Sequence, residues 1–216
     1  MDSVVDIAAA RKLVADAALW PRVRGFLWDF VPQIHDSWLE ELLRDMPDRS
    51  LVANPRVKRY ILESLDIRPV FHAFPKDDFS RIALLDGRTI LDVAKWLGAI
   101  ACADSLRSVT NGSEVRALKA SLSGVYPDVF GFTAYFSGLD LAIDGADPVE
   151  VGAKLLSSAL AGLDEALMKR IALKLPKALE GAMDGRNALA SKRDDARKAI
   201  NKLLKLKFPE AYKLCC

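Results

Sequence analysis

The sequence predicts an all-α protein, a compact irregular bundle of about eight to ten helices with no significant sheet. Three observations predict it. Apolar residues recur at helical spacing along nearly the whole chain. Alternating Val/Ile/Thr runs of strand type are missing, while Ala and Leu dominate. Helix starts and stops are spelled out by caps, prolines and glycines.

Helical segments are expected over 3–19, 36–46, 55–65, 76–86, 89–109, 113–123, 128–136, 148–175 and 187–207. Ser37 to Glu40 reads as a capping box, in which a hydroxyl and a carboxylate satisfy two amides reciprocally. Asn54-Pro55 sets a cap before a proline at the first helical position. Asp147-Pro148 repeats that logic, with Glu150 in the first turn. Thr89 to Asp92 and Ser113-Glu114 are weaker starts of the same kind. Gly87, Gly124 and Gly185 are candidates for the left-handed position past a helix end. Asn111-Gly112 is a turn, and Pro176 and Pro209 end what precedes them. Aromatic stretches at Ile67–Pro75 and Tyr126–Gly138 are expected to fold onto the core. The richest apolar run is Trp96–Ala103; Trp96, Leu97 and Ile100 recur there at helical spacing, flanked by Leu85 and Leu91. These five residues are the expected structural core.

The chain has 216 residues, 51% apolar and 28% charged, which fits one folded domain over 1–216 and excludes general disorder. The net charge of +2 implies no strong overall attraction to nucleic acid or acidic membrane. The charge is nonetheless uneven. From Lys169 to Cys216 it is +8, and over the rest it is −6. In the basic C-terminal segment, about 187–216, Leu189, Ala196, Ile200, Leu203 and Leu204 share one helical face. Lys198, Lys202 and Lys205 point the other way, as a solvated helix back or as a docking surface for an acidic partner.

The search for chemistry excludes more than it finds. His35 and His72 are the only histidines, so a His-rich metal site is ruled out. No Cys-x-x-Cys, His-Glu-x-x-His, acidic calcium loop or glycine-rich phosphate loop occurs. Cys102 sits in an apolar run and reads as a small hydrophobe. Asp36 beside His35 fits a helix start better than acid–base work. The pairs Asp77-Asp78 and Asp194-Asp195 fit helix ends and basic neighbours. Neither catalytic residue, metal nor cofactor is expected. Three cysteines, two of them adjacent at Cys215 and Cys216, make no disulfide framework and suit a reducing cytoplasm. A double-Cys end is also a prenylation signal of some small GTPases, but the phosphate-binding loop those proteins need is missing. No stretch approaches a membrane span, and the acidic start does not resemble a signal peptide.

One series of short segments is more distinctive. It runs Leu84-Leu85-Asp86-Gly87-Arg88 to Leu91, then Ala94 to Gly98, Leu106 to Val109, and Gly112 to Leu118, with Tyr126, Phe130 and Phe132 following. It resembles the middle of the type III secretion accessory proteins of the SctK family, also called YscK, PscK or HrpE-like proteins. Trp28 to Pro32 with Asp36-Ser37 resembles that family's early segment, Met168 to Pro176 its "KRL..KLP" segment, and Lys202 to Cys216 its closing helix and turn. Asp45–Asn54 and Gly181–Asp195 match no part of the family pattern. The resemblance implies a non-enzymatic adaptor of the injectisome's cytoplasmic sorting platform. Its implied partners are the SctQ-type pod protein and the cytoplasmic domain of the SctD-type inner-membrane ring protein, with the SctL-type stator reached indirectly. The competing reading is a helical nucleic-acid-binding or regulatory protein that uses the basic C-terminal helix. Salt response separates the two, since phosphate contacts weaken steeply as salt rises.

Overall fold

The computed structural model describes residues 19–44, 49–67, 79–136, 139, 147–184 and 189–215. Among these residues it has eleven α-helices, seven short 3-10 turns and no strand. The helices are α1 (Trp20–Trp28), α2 (Asp36–Leu42), α3 (Pro55–Ser64), α4 (Gly87–Ala101), α5 (Ala103–Ser108) and α6 (Gly112–Ser121). They continue with α7 (Val129–Phe132), α8 (Pro148–Leu160), α9 (Glu165–Leu173), α10 (Arg193–Lys207) and α11 (Pro209–Cys215). By contacts the chain divides into two compact units. The first is Met1–Gly87 with Leu163–Ala178 and Leu214–Cys216; the second is Arg88–Gly162 with Leu179–Lys213.

The all-α reading holds, while several boundaries move. The segment 3–19, most of Ile67–Pro75, and Gly185 lie outside the described residues. Helix α1 was not expected; Pro21 lies in its first turn, and Val23, Phe26 and Leu27 are its buried face. The described part of 76–86 is a 3-10 turn at Ser80–Leu84 rather than an α-helix. The run 89–109 breaks at Cys102, and 148–175 breaks where Gly162 adopts φ +90°. Asp164 then caps α9 by accepting from the amide of Ala166 at 2.9 Å. Gly162 followed by Asp164 is a stop and a start, and the long apolar pattern hides it. The segment 128–136 is a four-residue helix followed by a 3-10 turn. In place of 187–207, α10 begins at Arg193.

Most caps stand as read. Asn54 accepts from Arg56 N at 2.9 Å and Asp147 from Val149 N at 3.0 Å. Asn111 is itself the cap of α6, accepting from Ser113 N at 3.0 Å. Gly124 takes the left-handed conformation, φ +81°. Gly87 does not end a helix but opens α4, and a Cβ there would lie 2.5 Å from the carbonyl oxygen of Lys174. The capping box at Ser37 is corrected. His35 is the cap of α2, its Nδ1 accepting from Ser37 N at 3.2 Å, and the Ser37 hydroxyl is used elsewhere.

That use belongs to a clasp in the first unit. Ser37 Oγ accepts from the amide of Lys177 at 2.9 Å. The Trp38 indole N–H donates to the carbonyl of Leu175 at 3.0 Å, and His35 N donates to that of Leu173 at 2.9 Å. Lys177 pairs with Glu41 and stands 5.4 Å from the centre of a Trp38 ring. Four residues, His35 just before α2 and Ser37, Trp38 and Glu41 within it, therefore hold the end of α9 and the turn after it, some 140 positions later in the chain.

Two cations lie beneath. Arg170 on α9 and Lys174, the residue after its end, stand one turn apart and are 3% and 1% exposed. Such residues are rarely fully buried unless every donor is satisfied. Lys174 Nζ donates to the carbonyls of Ala83 at 2.7 Å and Leu85 at 2.8 Å, beneath the Phe26 ring at 5.2 Å. Arg170 donates to the Phe26 carbonyl, with its guanidinium 5.2 Å from the Phe26 ring and 5.1 Å from the Phe30 ring. Burial pulls the Lys174 ammonium down to about 7, an effect that Asp86 opposes and Arg170 and Arg22 reinforce.

The second unit is built on a glycine crossing. A Cβ on Gly98 would lie 1.6 Å from the Pro148 carbonyl oxygen, and one on Gly152 would lie 1.8 Å from that of Ala94. Helices α4 and α8 therefore touch backbone to backbone, which any side chain at these two positions would prevent. Helix α10 packs its buried side, Ala196, Ala199, Ile200, Leu203 and Leu204, on α8. Arg197 Nε donates to the Ala159 carbonyl at 2.7 Å, a cation at the negative end of α8.

Candidate docking surfaces

The residues expected in the core divide four to one. Leu85, Trp96, Leu97 and Ile100 are buried, the last three on α4. Leu91 is corrected: it is half-buried, because its stretch of α4 faces an open groove.

The basic back of α10 begins as a helical-wheel inference and acquires distinctions from the fold. Lys198 has its side chain 80% exposed and stands 4.0 Å from Asp195, one turn earlier. Lys205 is exposed. Lys202 is already engaged: its Nζ donates to the Tyr135 carbonyl at 2.8 Å and lies 5.6 Å and 5.7 Å from the Tyr135 and Phe136 ring centres. Two of the three lysines are therefore open to a partner, whereas the third fastens the aromatic stretch after α7. Leu206 and Tyr135 add apolar exposure, 48% and 57%.

A second surface was not anticipated. A groove of about 470 Å³ follows one face of α4, through Arg88, Leu91, Asp92, Lys95 and Trp96. Its other wall is the turn Ser123-Gly124-Val125 and the end of α10 at Lys207 and Phe208. All of these residues belong to the second unit. The Lys207 ammonium sits 4.6 Å from the Trp96 ring centre and 4.0 Å from that of Phe132, and the two rings meet edge to face at 5.4 Å. Lys95 stands 3.7 Å from Asp92. The sequence did carry a signal for this face, since positions 88, 91, 92, 95 and 96 recur at three- and four-residue spacing. What it lacked was the position of Lys207, which only the fold brings to α4.

No group of three or more metal-ligating side chains occurs among the described residues. Cys102 is 3% exposed, and burial, with the nearby Asp147 carboxylate, pushes its thiol up to about 11. The thiolate that nucleophilic chemistry needs is thereby suppressed. Cys215 is buried as well. No helix among the described residues is long and apolar enough to cross a membrane.

Residues 26–126, just under half of the chain, match the model of the family described as YOP proteins translocation protein K (YscK). The matched segment contains α2, the Ala83 and Leu85 carbonyls that hold Lys174, and the whole of the α4 wall of the groove. It stops before α10, so Lys198, Lys202, Lys205 and Lys207 lie outside it. No curated protein and no solved structure matches the chain.

Proposed function

We propose that this chain, whose residues 26–126 match the YscK family model, belongs to that family and is a non-enzymatic adaptor of the type III secretion sorting platform. In this reading it works in the cytoplasm at the inner membrane, and joins an SctQ-type pod protein to the cytoplasmic domain of an SctD-type ring protein. The family match is the observation that carries the reading. The chemistry of the chain is compatible with it: the described residues offer two charged surfaces and a buried, protonated thiol.

Within this role we assign one contact to Lys198 and Lys205 on the back of α10, where complementary charge speeds encounter and rejects wrong partners more than it adds affinity. Co-purification of the full chain with each partner separately, then with both together, tests the role. A ternary complex that survives moderate salt is the expected result. Binding of neither partner would overturn it, and retention of the chain by an oligonucleotide at low salt alone would favour the nucleic-acid reading.

A further inference from the structure

We propose that the groove along α4 is a binding site for an acidic protein segment carrying an aliphatic side chain. The floor and the rim of the groove differ in chemistry. Leu91 and Phe208, both half-buried, supply apolar surface over the buried Trp96 and Val125, while Arg88, Lys95 and Lys207 supply three cations against the single carboxylate of Asp92. Arg88 is exposed and makes no ion pair or hydrogen bond among the described residues. Lys207 has aromatic faces beneath it and, among the described residues, no carboxylate beside it.

Arg88 lies in the first turn of α4, just after Asp86, which already supplies an acid at the positive helix end; neither Asp86 nor Gly87 lines the groove. Two cations without a carboxylate partner among the described residues, facing one groove, form a field that an incoming carboxylate relieves. The apolar floor gives the same ligand a place for a side chain. This chemistry selects against a nucleic-acid backbone. The stripe from Arg88 to Trp96 spans only about 12 Å at 1.5 Å per residue, and its apolar part offers nothing to a sugar-phosphate backbone. A few residues of peptide match that length.

The site does not depend on the platform reading, and its test uses no platform partner. The probes are three synthetic 12-residue peptides, each with four Glu and two Leu placed one, three or four residues apart, and their Lys-for-Glu counterparts. The readout is the indole N–H resonance of Trp96 in the ¹⁵N-labelled full chain, one of four tryptophans, identified by its loss in Trp96→Phe. At least one Glu peptide should shift this resonance saturably, and its Lys counterpart should not. Arg88→Glu, at an exposed position without contacts that folding needs, should weaken the effect at least tenfold with an unchanged melting temperature. Lys207→Gln gives a second, independent loss. Three results would overturn the proposal: no shift of Trp96 with any Glu peptide at millimolar concentration, a shift that survives Arg88→Glu, or an equal shift by a thymidine 12-mer.

Discussion

In the first unit, helix ends approach one another through polar atoms. The amide of Lys177, the carbonyls of Leu173 and Leu175, and the buried ammonium of Lys174 all find partners on elements distant in sequence. In the second unit α4 and α8 approach by having nothing between them, because Gly98 and Gly152 remove the side chains at the crossing. The difference matters for function. A polar clasp fixes register, since each N–H must meet its own acceptor. A glycine crossing draws two helices together along one face and leaves another face of α4, from Arg88 to Trp96, to line a groove.

The largest expected effect tests whether Trp96 is core or docking anchor. It is 4% exposed although it lines the groove. Trp96→Ala should cost ~3–5 kcal/mol in urea unfolding, the usual range for emptying an aromatic site. An unchanged midpoint would move Trp96 from the core to the interface and blur the contrast between floor and rim.

The crossing comes next. Gly98→Ala and Gly152→Ala should each cost about 3 kcal/mol, the upper end for overpacking, because the new methyl meets backbone rather than a mobile side chain. Alanine's better helix propensity returns only about 1 kcal/mol. Gly112→Ala, where a Cβ meets nothing within 4 Å, is the control and should be neutral or slightly stabilising. Equal costs at all three positions would show that backbone freedom rather than contact sets the requirement.

In the clasp the expected loss is smaller. Trp38→Phe keeps the ring and removes the N–H that the Leu175 carbonyl accepts. An orphaned buried acceptor should cost about 1–2 kcal/mol. A cost near zero would mean that the ring alone holds α2 to the end of α9.

These contrasts also explain what could be read in advance. Caps at Asn54, Asn111 and Asp147 act within two residues of themselves, so they are local chemistry that a sequence displays. The apolar run around Trp96 is likewise local. The breaks at Cys102 and Gly162 were hidden because apolar spacing continues across both. His35 as a cap and Ser37 as a long-range acceptor were misassigned because the competing partner, Lys177 N, is 140 residues away. The groove was only half legible: its α4 stripe is periodic, whereas Lys207 arrives from another helix. Lys198, Lys202 and Lys205 share a face by periodicity, yet only tertiary contact distinguishes the tethered Lys202 from the other two.

Lys174 offers a measurement that the second unit cannot imitate. Burial holds its ammonium down to about 7, against an ordinary value of 10.5. Between those values the unfolded chain keeps a proton that the folded chain has released. Stability from this group therefore rises with pH across that window and is level on either side. Both hydrogen bonds survive deprotonation, since a neutral amine still has two N–H groups for the Ala83 and Leu85 carbonyls. Cys102 acts in the opposite sense, because its thiol is held up to about 11 from 9.0. The comparison is cleanest between pH 7 and 9, below the Cys102 window. Subtracting Lys174→Met from the parent chain in urea titrations should leave a positive slope there. A zero difference would mean that Lys174 stays charged when folded, with the rings of Phe26 and Phe30 compensating its burial.

The smallest effect separates fold from docking on α10. Lys198→Glu with Lys205→Glu changes two exposed side chains, one with a 4.0 Å pair one turn away. Exposed pairs of this kind contribute little, so stability should move by less than about 0.5 kcal/mol. Lys202→Glu should cost more than either, because it breaks a hydrogen bond to the Tyr135 carbonyl and removes a cation from two aromatic faces. If the double variant folds normally and loses one platform partner while keeping the other, the back of α10 is a docking face and Lys202 is its tether. If both partners bind at parental strength, these lysines only solvate the helix, and the partner contacts belong to the surfaces of the matched segment, residues 26–126. Melting temperature and pull-down on the same three preparations decide between the two, because a tether changes the first and a docking residue only the second.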